Sequence, residues 1–144
     1  MFKLDDCVYY MATLGLKKVT DTYNETFKKH GATRVQWIAL YYIKKSQGIR
    51  QMDLADMMES QETTIARLVN RMEKNGLVEK HQDPNDGRAV KLYCTDQGLE
   101  LFHELLPVCS DFFHNIIKDI PQEDLDTFKS VLDKLVTNSI NHFS

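Results

Sequence analysis

Residues 51–76, QMDLADMMESQETTIARLVNRMEKNG, decide the fold, because they read as two short helices joined at a tight corner, Glu59-Ser60. Before the corner Leu54, Ala55 and Met58 share one helical face, and after it Ile65, Leu68, Val69 and Met72 do the same, so the pair can enclose a small common core. This is the pattern of a helix-turn-helix. The small Ala55 permits a close helix crossing, and Ile65, ten positions later, anchors the second helix beneath it. The solvent side of that second helix carries Gln61, Glu62, Thr63, Thr64 and Arg67 near its N-terminus, the end a recognition helix presents to base edges in a major groove. A corner of this kind often demands a positive backbone angle, free of cost for glycine but worth roughly 1–2 kcal/mol for Glu59. An ordinary helical hairpin inside a larger helical core would show the same periodicity, so the residues after Gly76 must discriminate.

Gly76 follows the last periodic residue, as a helix C-cap does, and LVEKH then begins an extended run. A second run, Ala89 to Cys94, alternates Val90, Leu92 and Cys94 with Lys91 and Tyr93, as a half-buried strand requires. Between them lies Asp83-Pro84-Asn85-Asp86-Gly87-Arg88, rich in hairpin-turn residues, which predicts a two-stranded ribbon with Arg88 at its tip. So small a hairpin is marginal alone and should pack on the helix pair as a wing. The expected fold is therefore mainly α with a small β-hairpin wing: a winged helix-turn-helix flanked by long helices.

The stretch DPNDGRAVKLYCTDQG resembles the wing signature of the MarR family of bacterial transcription regulators, an Asp-x-Arg at the tip and a Leu-Thr-x-x-Gly where the next helix starts. Asp86 and Arg88 match the first part; Thr95 and Gly98 match the second, with Cys94 in place of the usual Leu. QMDLADMM and TTIARLVNRMEKNGLVEK are similar to the family's helix-turn-helix, although Gln61 stands where a Ser or Asp cap is more usual. The resemblance implies one domain over residues 1–144, in which 33–98 form a DNA-binding lobe and 1–32 with 99–144 a helical dimerisation lobe. It also implies a DNA-binding regulator, often a repressor, released by a small aromatic or phenolic effector.

Size and composition are compatible with this. A chain of 144 residues is within the range of one domain. It contains no 18-residue apolar run and no basic-then-apolar leader, so no membrane partner is expected and cytoplasmic residence is the default. Three cysteines, Cys7, Cys94 and Cys109, are too few and odd in number for a disulfide framework. The formal charge of −3 is unlike the basic balance usual for DNA-binding domains. From Ile65 to Lys91, however, six basic residues (Arg67, Arg71, Lys74, Lys80, Arg88, Lys91) face four acidic ones (Glu73, Glu79, Asp83, Asp86), a local +2.

Working outward, Leu4, Val8, Met11, Gly15, Val19, Tyr23 and Phe27 predict one long helix over 4–29, left at His30-Gly31. Thr33 then caps a second helix with Val35, Ile38, Ala39, Tyr42 and Ile43 on its inner face. After Thr95 a long apolar-periodic helix runs to Ile116, with Pro107 expected to kink it. A last helix starts at Pro121 and carries Leu125, Phe128, Val131, Leu132, Leu135, Val136 and Ile140. The end helices hold more large apolar groups than a winged-helix module needs. A two-fold homodimer would cover them and set two recognition helices about one DNA turn apart, roughly 34–36 Å, which predicts an inverted-repeat operator in double-stranded DNA.

Arg88 can enter a narrow minor groove while Asp86 holds its guanidinium, or it can be a solvated turn arginine. Gln61, Thr63 and Thr64 suit base edges, and Arg67 suits a phosphate or a guanine. Glu62 suits a helix N-terminus but repels phosphate unless it meets a cytosine amino group. Thr33, Arg34 and Lys80 are candidate phosphate contacts; each is equally readable as a surface residue. For an effector the candidates are Tyr10, Trp37 and Tyr41, the alternative being aromatic packing. Cys7 could make the protein a thiol-based redox-sensing repressor, but Asp5 and Asp6 oppose a reactive thiolate, so a partly buried thiol is the favoured reading. Cys94 and Cys109 read as small core residues. No metal or other cofactor is expected: His103 and His114 lie eleven residues, about 16 Å, apart along a helix. No catalytic constellation is present, so an enzyme is not expected, whereas the negative charge leaves a protein-binding winged-helix scaffold as a second class.

Overall fold

The computed structural model describes residues 1–143. The elements are α1 (Val8–Lys28), α2 (Arg34–Lys45), β1 (Ile49–Arg50), α3 (Gln51–Met57), α4 (Glu62–Lys74), β2 (Val78–Asp83), β3 (Asp86–Cys94), α5 (Asp96–Ile116) and α6 (Gln122–Phe143). Residues 1–110 form one compact unit and the residues after them a second. No helix among the described residues is long and apolar enough to cross a membrane.

The first unit is organised around α3 and α4. Leu54, Ala55, Ile65, Val69 and Met72 are buried together with Ala39, Leu40 and Ile43 of α2, Leu77, Val78 and Leu92 of the wing, and Phe102 of α5. The inner face of α2 differs from the expected one. Gln36, Ala39, Leu40 and Ile43 are its buried residues, whereas Val35 is exposed and Ile38 and Tyr42 are half-buried. Thr33 caps this helix as expected: its side chain accepts from the Gln36 N–H, and Gln36 Oε1 accepts from the Thr33 N–H, a reciprocal capping box.

Two helix ends close with the same hydrogen bonds. After α4, Gly76 N–H donates to Glu73 O and Leu77 N–H to Met72 O, with Gly76 at φ +76°. After α3, Glu59 N–H donates to Asp56 O and Ser60 N–H to Ala55 O, and Glu59 takes φ +48°. Glu59 thus occupies a glycine's place in the turn between α3 and α4.

The sheet has three strands, not two, in the order β1-β3-β2. The unexpected strand, β1, pairs Ile49 with Leu92 and Arg50 with Lys91. Two residues are too few to show alternation. The chain is turned into this strand at Gly48, whose φ is +87° and whose N–H donates to Leu92 O. In the hairpin, Val78 pairs with Cys94 and Asp83 with Asp86, so the turn is Pro84-Asn85, and Asp86-Gly87 lies in β3 instead of at the corner. Arg88 is accordingly the third residue of β3.

The long N-terminal helix expected over 4–29 is interrupted. Leu4–Asp6 form a single 3-10 turn, Cys7 is extended, and α1 begins at Val8. Adjacent aspartates favour helix starts over helix interiors, which accounts for the break. At the start of α5, Thr95 Oγ1 accepts from Gly98 N–H and donates to Gly76 O, joining two helix ends. A Cβ on Gly98 would overlap the Leu77 carbonyl oxygen, so only glycine fits there. The helix α5 runs unbroken through Pro107. In the second unit α6 has no buried residue.

Candidate nucleic-acid interface

The N-terminal turn of α4 stands open to solvent. Gln61, Glu62, Thr63, Thr64 and Arg67 are all exposed, while Ile65 and Val69 face inward and fix the helix in rotation. Gln61 is the N-cap but makes no side-chain cap bond, leaving its amide free for an external partner. The exposed side of this end of the helix therefore carries hydrogen-bonding side chains, Thr63 and Thr64 of short reach and Gln61 and Arg67 of longer reach, suited to base edges.

The wing brings a second group beside it. Arg88 and Asp86 line a cleft together with Glu62, Arg50, Gln51 and Val90, so the start of α4 and the wing share one concave surface. Asp86 does not hold the Arg88 guanidinium as expected: its Oδ1 accepts from the Arg88 backbone N–H at 3.0 Å. A two-residue separation along an extended strand favours the main chain over the long side chain. The exposed guanidinium of Arg88 has no ion pair among the described residues.

Two other candidates are engaged within the fold and a third is half-buried. The Lys80 ammonium donates to Asn70 Oδ1 at 2.6 Å and lies 3.5 Å from Glu73, tying β2 to α4. Thr33 spends its hydroxyl acceptor on the helix cap. Arg34 is half-buried, and its Nε is enclosed without a hydrogen-bond partner.

Arg50 and Asp83, which nothing in the sequence singles out as functional, are paired in the structure. Arg50 Nη2 donates to Asp83 Oδ2 at 2.9 Å, and Asp83 Oδ1 accepts from Asn85 N–H at 2.9 Å. The Asp83 side chain is only 2% exposed. The Asn85 N–H above all, and the Arg50 guanidinium after it, hold its carboxyl below the usual carboxylate range against the opposing effect of burial. An Asp followed by Pro-Asn is a turn signal, but nothing along the sequence pairs it with an arginine 33 residues away.

The aromatic candidates separate. Trp37 stacks on Phe102 with ring centroids 5.2 Å apart and donates from Nε1 to the Phe102 carbonyl at 3.4 Å. Tyr41 lies 6.0 Å from Trp37, and the Lys44 ammonium sits 5.4 Å over the Phe102 ring. Tyr41, Lys44, Lys45 and Phe102 line one shallow cleft. Tyr10 is half-buried on α1 and has no ring contact with Trp37 or Tyr41 among the described residues.

Cys7 is half-buried at the start of α1. Burial pushes the Cys94 thiol up to about 11, and it raises Cys109, which accepts from the Tyr23 hydroxyl at 3.3 Å. Both are poor thiolates. No three His, Cys, Asp or Glu side chains converge as metal ligands among the described residues.

Residues 32–90 match the MarR family. Among individual proteins, the transcriptional repressor MprA of Escherichia coli K12 is 24% identical over 122 residues, which cover 83% of this chain and 69% of that one. The fold superposes on the crystal structure of a Staphylococcus aureus MepR–DNA complex with a TM-score of 0.85 at 18% identity, covering 92% of this chain and 98% of the other. It also superposes on the PcaV regulator of Streptomyces coelicolor bound to its natural ligand, with a TM-score of 0.81 at 19% identity and 96% and 98% coverage.

Proposed function

Because this chain belongs to the MarR family of winged helix-turn-helix transcription regulators, we propose that it is a homodimeric, sequence-specific repressor that binds an inverted-repeat operator and is released by a small aromatic or phenolic ligand. The observation that carries DNA binding is that the exposed N-terminal part of α4, with Gln61, Thr63, Thr64 and Arg67, begins beside the wing: Glu62 of α4 lines one cleft with Asp86 and Arg88, whose guanidinium has no ion pair among the described residues. The helix suits a major groove and the wing an adjacent minor groove, where a narrow A·T tract concentrates negative potential. The structural likeness to MepR, seen on DNA, supports the same use of the fold.

A dimer is supported by the apolar residues left exposed on the end helices, among them Leu14 and Leu16 of α1 and Phe128, Leu132 and Val136 of α6. The effector reading rests on the cleft of Tyr41 and Phe102, into which Lys44 and Lys45 bring positive charge suited to an aromatic carboxylate or phenolate; PcaV, similar in fold, is seen with a ligand. Such a ligand displaces DNA only by preferring the arrangement that does not bind DNA.

The test is selection of duplexes from a random pool by the purified protein, with Arg88→Ala in parallel. The expected result is an inverted repeat with half-sites about one turn apart, bound roughly tenfold or more weakly by the variant. Absence of any enriched duplex at low salt would reject the reading and direct attention to a protein partner for the winged helix.

A further inference from the structure

The ion pair between Arg50 and Asp83 joins the entry of the helix-turn-helix to the far end of the wing, and we propose that this pair is the positioning device that sets the wing's pose for DNA. The inference rests on the DNA-binding reading above.

Arg50 stands at the N-cap of α3, where a short side-chain oxygen is the stabilising choice, and it makes no cap bond. Its guanidinium instead reaches the last residue of β2. Asp83 is the enclosed partner, and a carboxylate so buried is tolerated only when paired and hydrogen-bonded. Both its oxygens are used. Oδ2 takes the Arg50 guanidinium, and Oδ1 takes the Asn85 N–H and so shapes the Pro84-Asn85 turn.

The location explains the need. Strand β1 supports β3 only at Leu92 and Lys91; Val90 has a neighbour on one side alone, and Gly87, Arg88 and Ala89 have no register partner, because the pairing with β2 shifts between Gln82 and Asp83. A two-stranded ribbon is marginal in water, and its free end would sample many angles. The Arg50–Asp83 pair ties that free end to the start of α3, next to the cleft that Arg88 and Glu62 line. Beyond the turn, Asp86 fixes the backbone at Arg88. Charge, turn and strand therefore act in series to aim one guanidinium, and the pair raises the fraction of molecules whose wing is ready to bind.

Two substitutions test this. Asp83→Asn keeps an oxygen for the Asn85 N–H while removing the charge; Arg50→Gln removes the guanidinium. The probe is a duplex that the wild-type protein enriches from a random pool. Each variant is expected to weaken binding about three- to tenfold, and the double variant no more than the stronger single, because both remove one interaction. The slope of affinity against salt should stay as in the wild type, since no phosphate contact is lost. Wild-type affinity in Asp83→Asn would overturn the proposal. So would a salt slope lowered by about one in Arg50→Gln alone, which would make Arg50 a phosphate contact.

If the wild-type protein enriches no duplex, the DNA-binding reading fails, and amide exchange decides the tether separately. Faster exchange at Asn85 and Arg88 in both variants, with Leu92 unchanged, upholds it; unchanged exchange at all three removes it. Arg50→Gln, whose native side chain is 47% exposed, carries the test should Asp83→Asn fail to fold.

Discussion

Helices α4 and α6 are built on the same amphipathic plan and end in opposite states. In α4, Ile65, Val69 and Met72 recur at helical spacing, and all three are buried against α2, α3 and the wing. In α6, Phe128, Leu132, Leu135, Val136 and Ile140 recur at similar spacing, and each is at least 40% exposed. A hydrophobic stripe states only that something must cover it. The residues around α4 supply that cover from within the chain, whereas α6 lies in a separate compact unit with no buried residue of its own. The contrast divides a winged-helix lobe that buries its own core from a helix whose apolar face is left exposed, the face that the proposed homodimer would cover.

The strongest way to break this contrast is to charge the α6 stripe. Leu132→Glu with Leu135→Glu should convert the proposed dimer to a monomer in sedimentation analysis while leaving the winged-helix lobe folded. Losing the linkage between two half-sites should lower affinity for an inverted-repeat duplex by about a hundredfold or more. A variant that stays dimeric would place the interface elsewhere.

Next in size is an attack on the self-contained lobe. Gly98→Ala forces a Cβ against the Leu77 carbonyl, which lies on backbone and cannot swing aside, so chemical denaturation should show a loss of about 3 kcal/mol. The same experiment sharpens the comparison in the opposite direction at the α3–α4 turn. Glu59 sits at φ +48° where Gly76 sits at φ +76° in an equivalent turn, so Glu59→Gly should raise stability by about 1 kcal/mol.

The smallest expected effect is local and appears on acidification. The Asp83 carboxyl is held below its ordinary value in the folded wing, so its contribution is present above the unfolded value near about pH 4 and is lost as pH falls through the folded value. The protection of the Asn85 amide, its exchange measured relative to the intrinsic rate at each pH, should therefore fall as pH drops below about 4 and before the α4 core opens, and Asp83→Asn should abolish that separate transition.

Much of the reading lobe was legible in advance because its signals are local. Leu54, Ala55, Ile65 and Val69 announce two helices at short spacing; Thr33 and Gly76 mark helix ends by backbone chemistry; Val90, Leu92 and Cys94 alternate as a strand does. The misses share a cause. Strand β1 is too short for any periodicity, Gln36 is buried through its cap instead of through hydrophobicity, and the hairpin turn fell on Pro84-Asn85 because Asp83 pairs across to Asp86. Among the site residues, the exposed turn of α4 followed from helical phase. Lys80 did not, since its partners Asn70 and Glu73 reach it only once β2 lies beside α4.

Helical phase, strand alternation and turn chemistry are properties of neighbours a few bonds apart, and for this chain they were enough to define the winged helix-turn-helix and the solvent-facing residues of its second helix. The partners of Arg50, Lys80 and Trp37 lie respectively 33, 10 and 65 residues away from them in the hydrogen bonds described. Such pairings depend on which surfaces the folded core brings within reach, and a buried charge such as Asp83 is stable only after that has happened. Folding therefore decided the pairing of Arg50 with Asp83 and the engagement of Lys80, while the apolar stripe of α6 was already legible in the sequence.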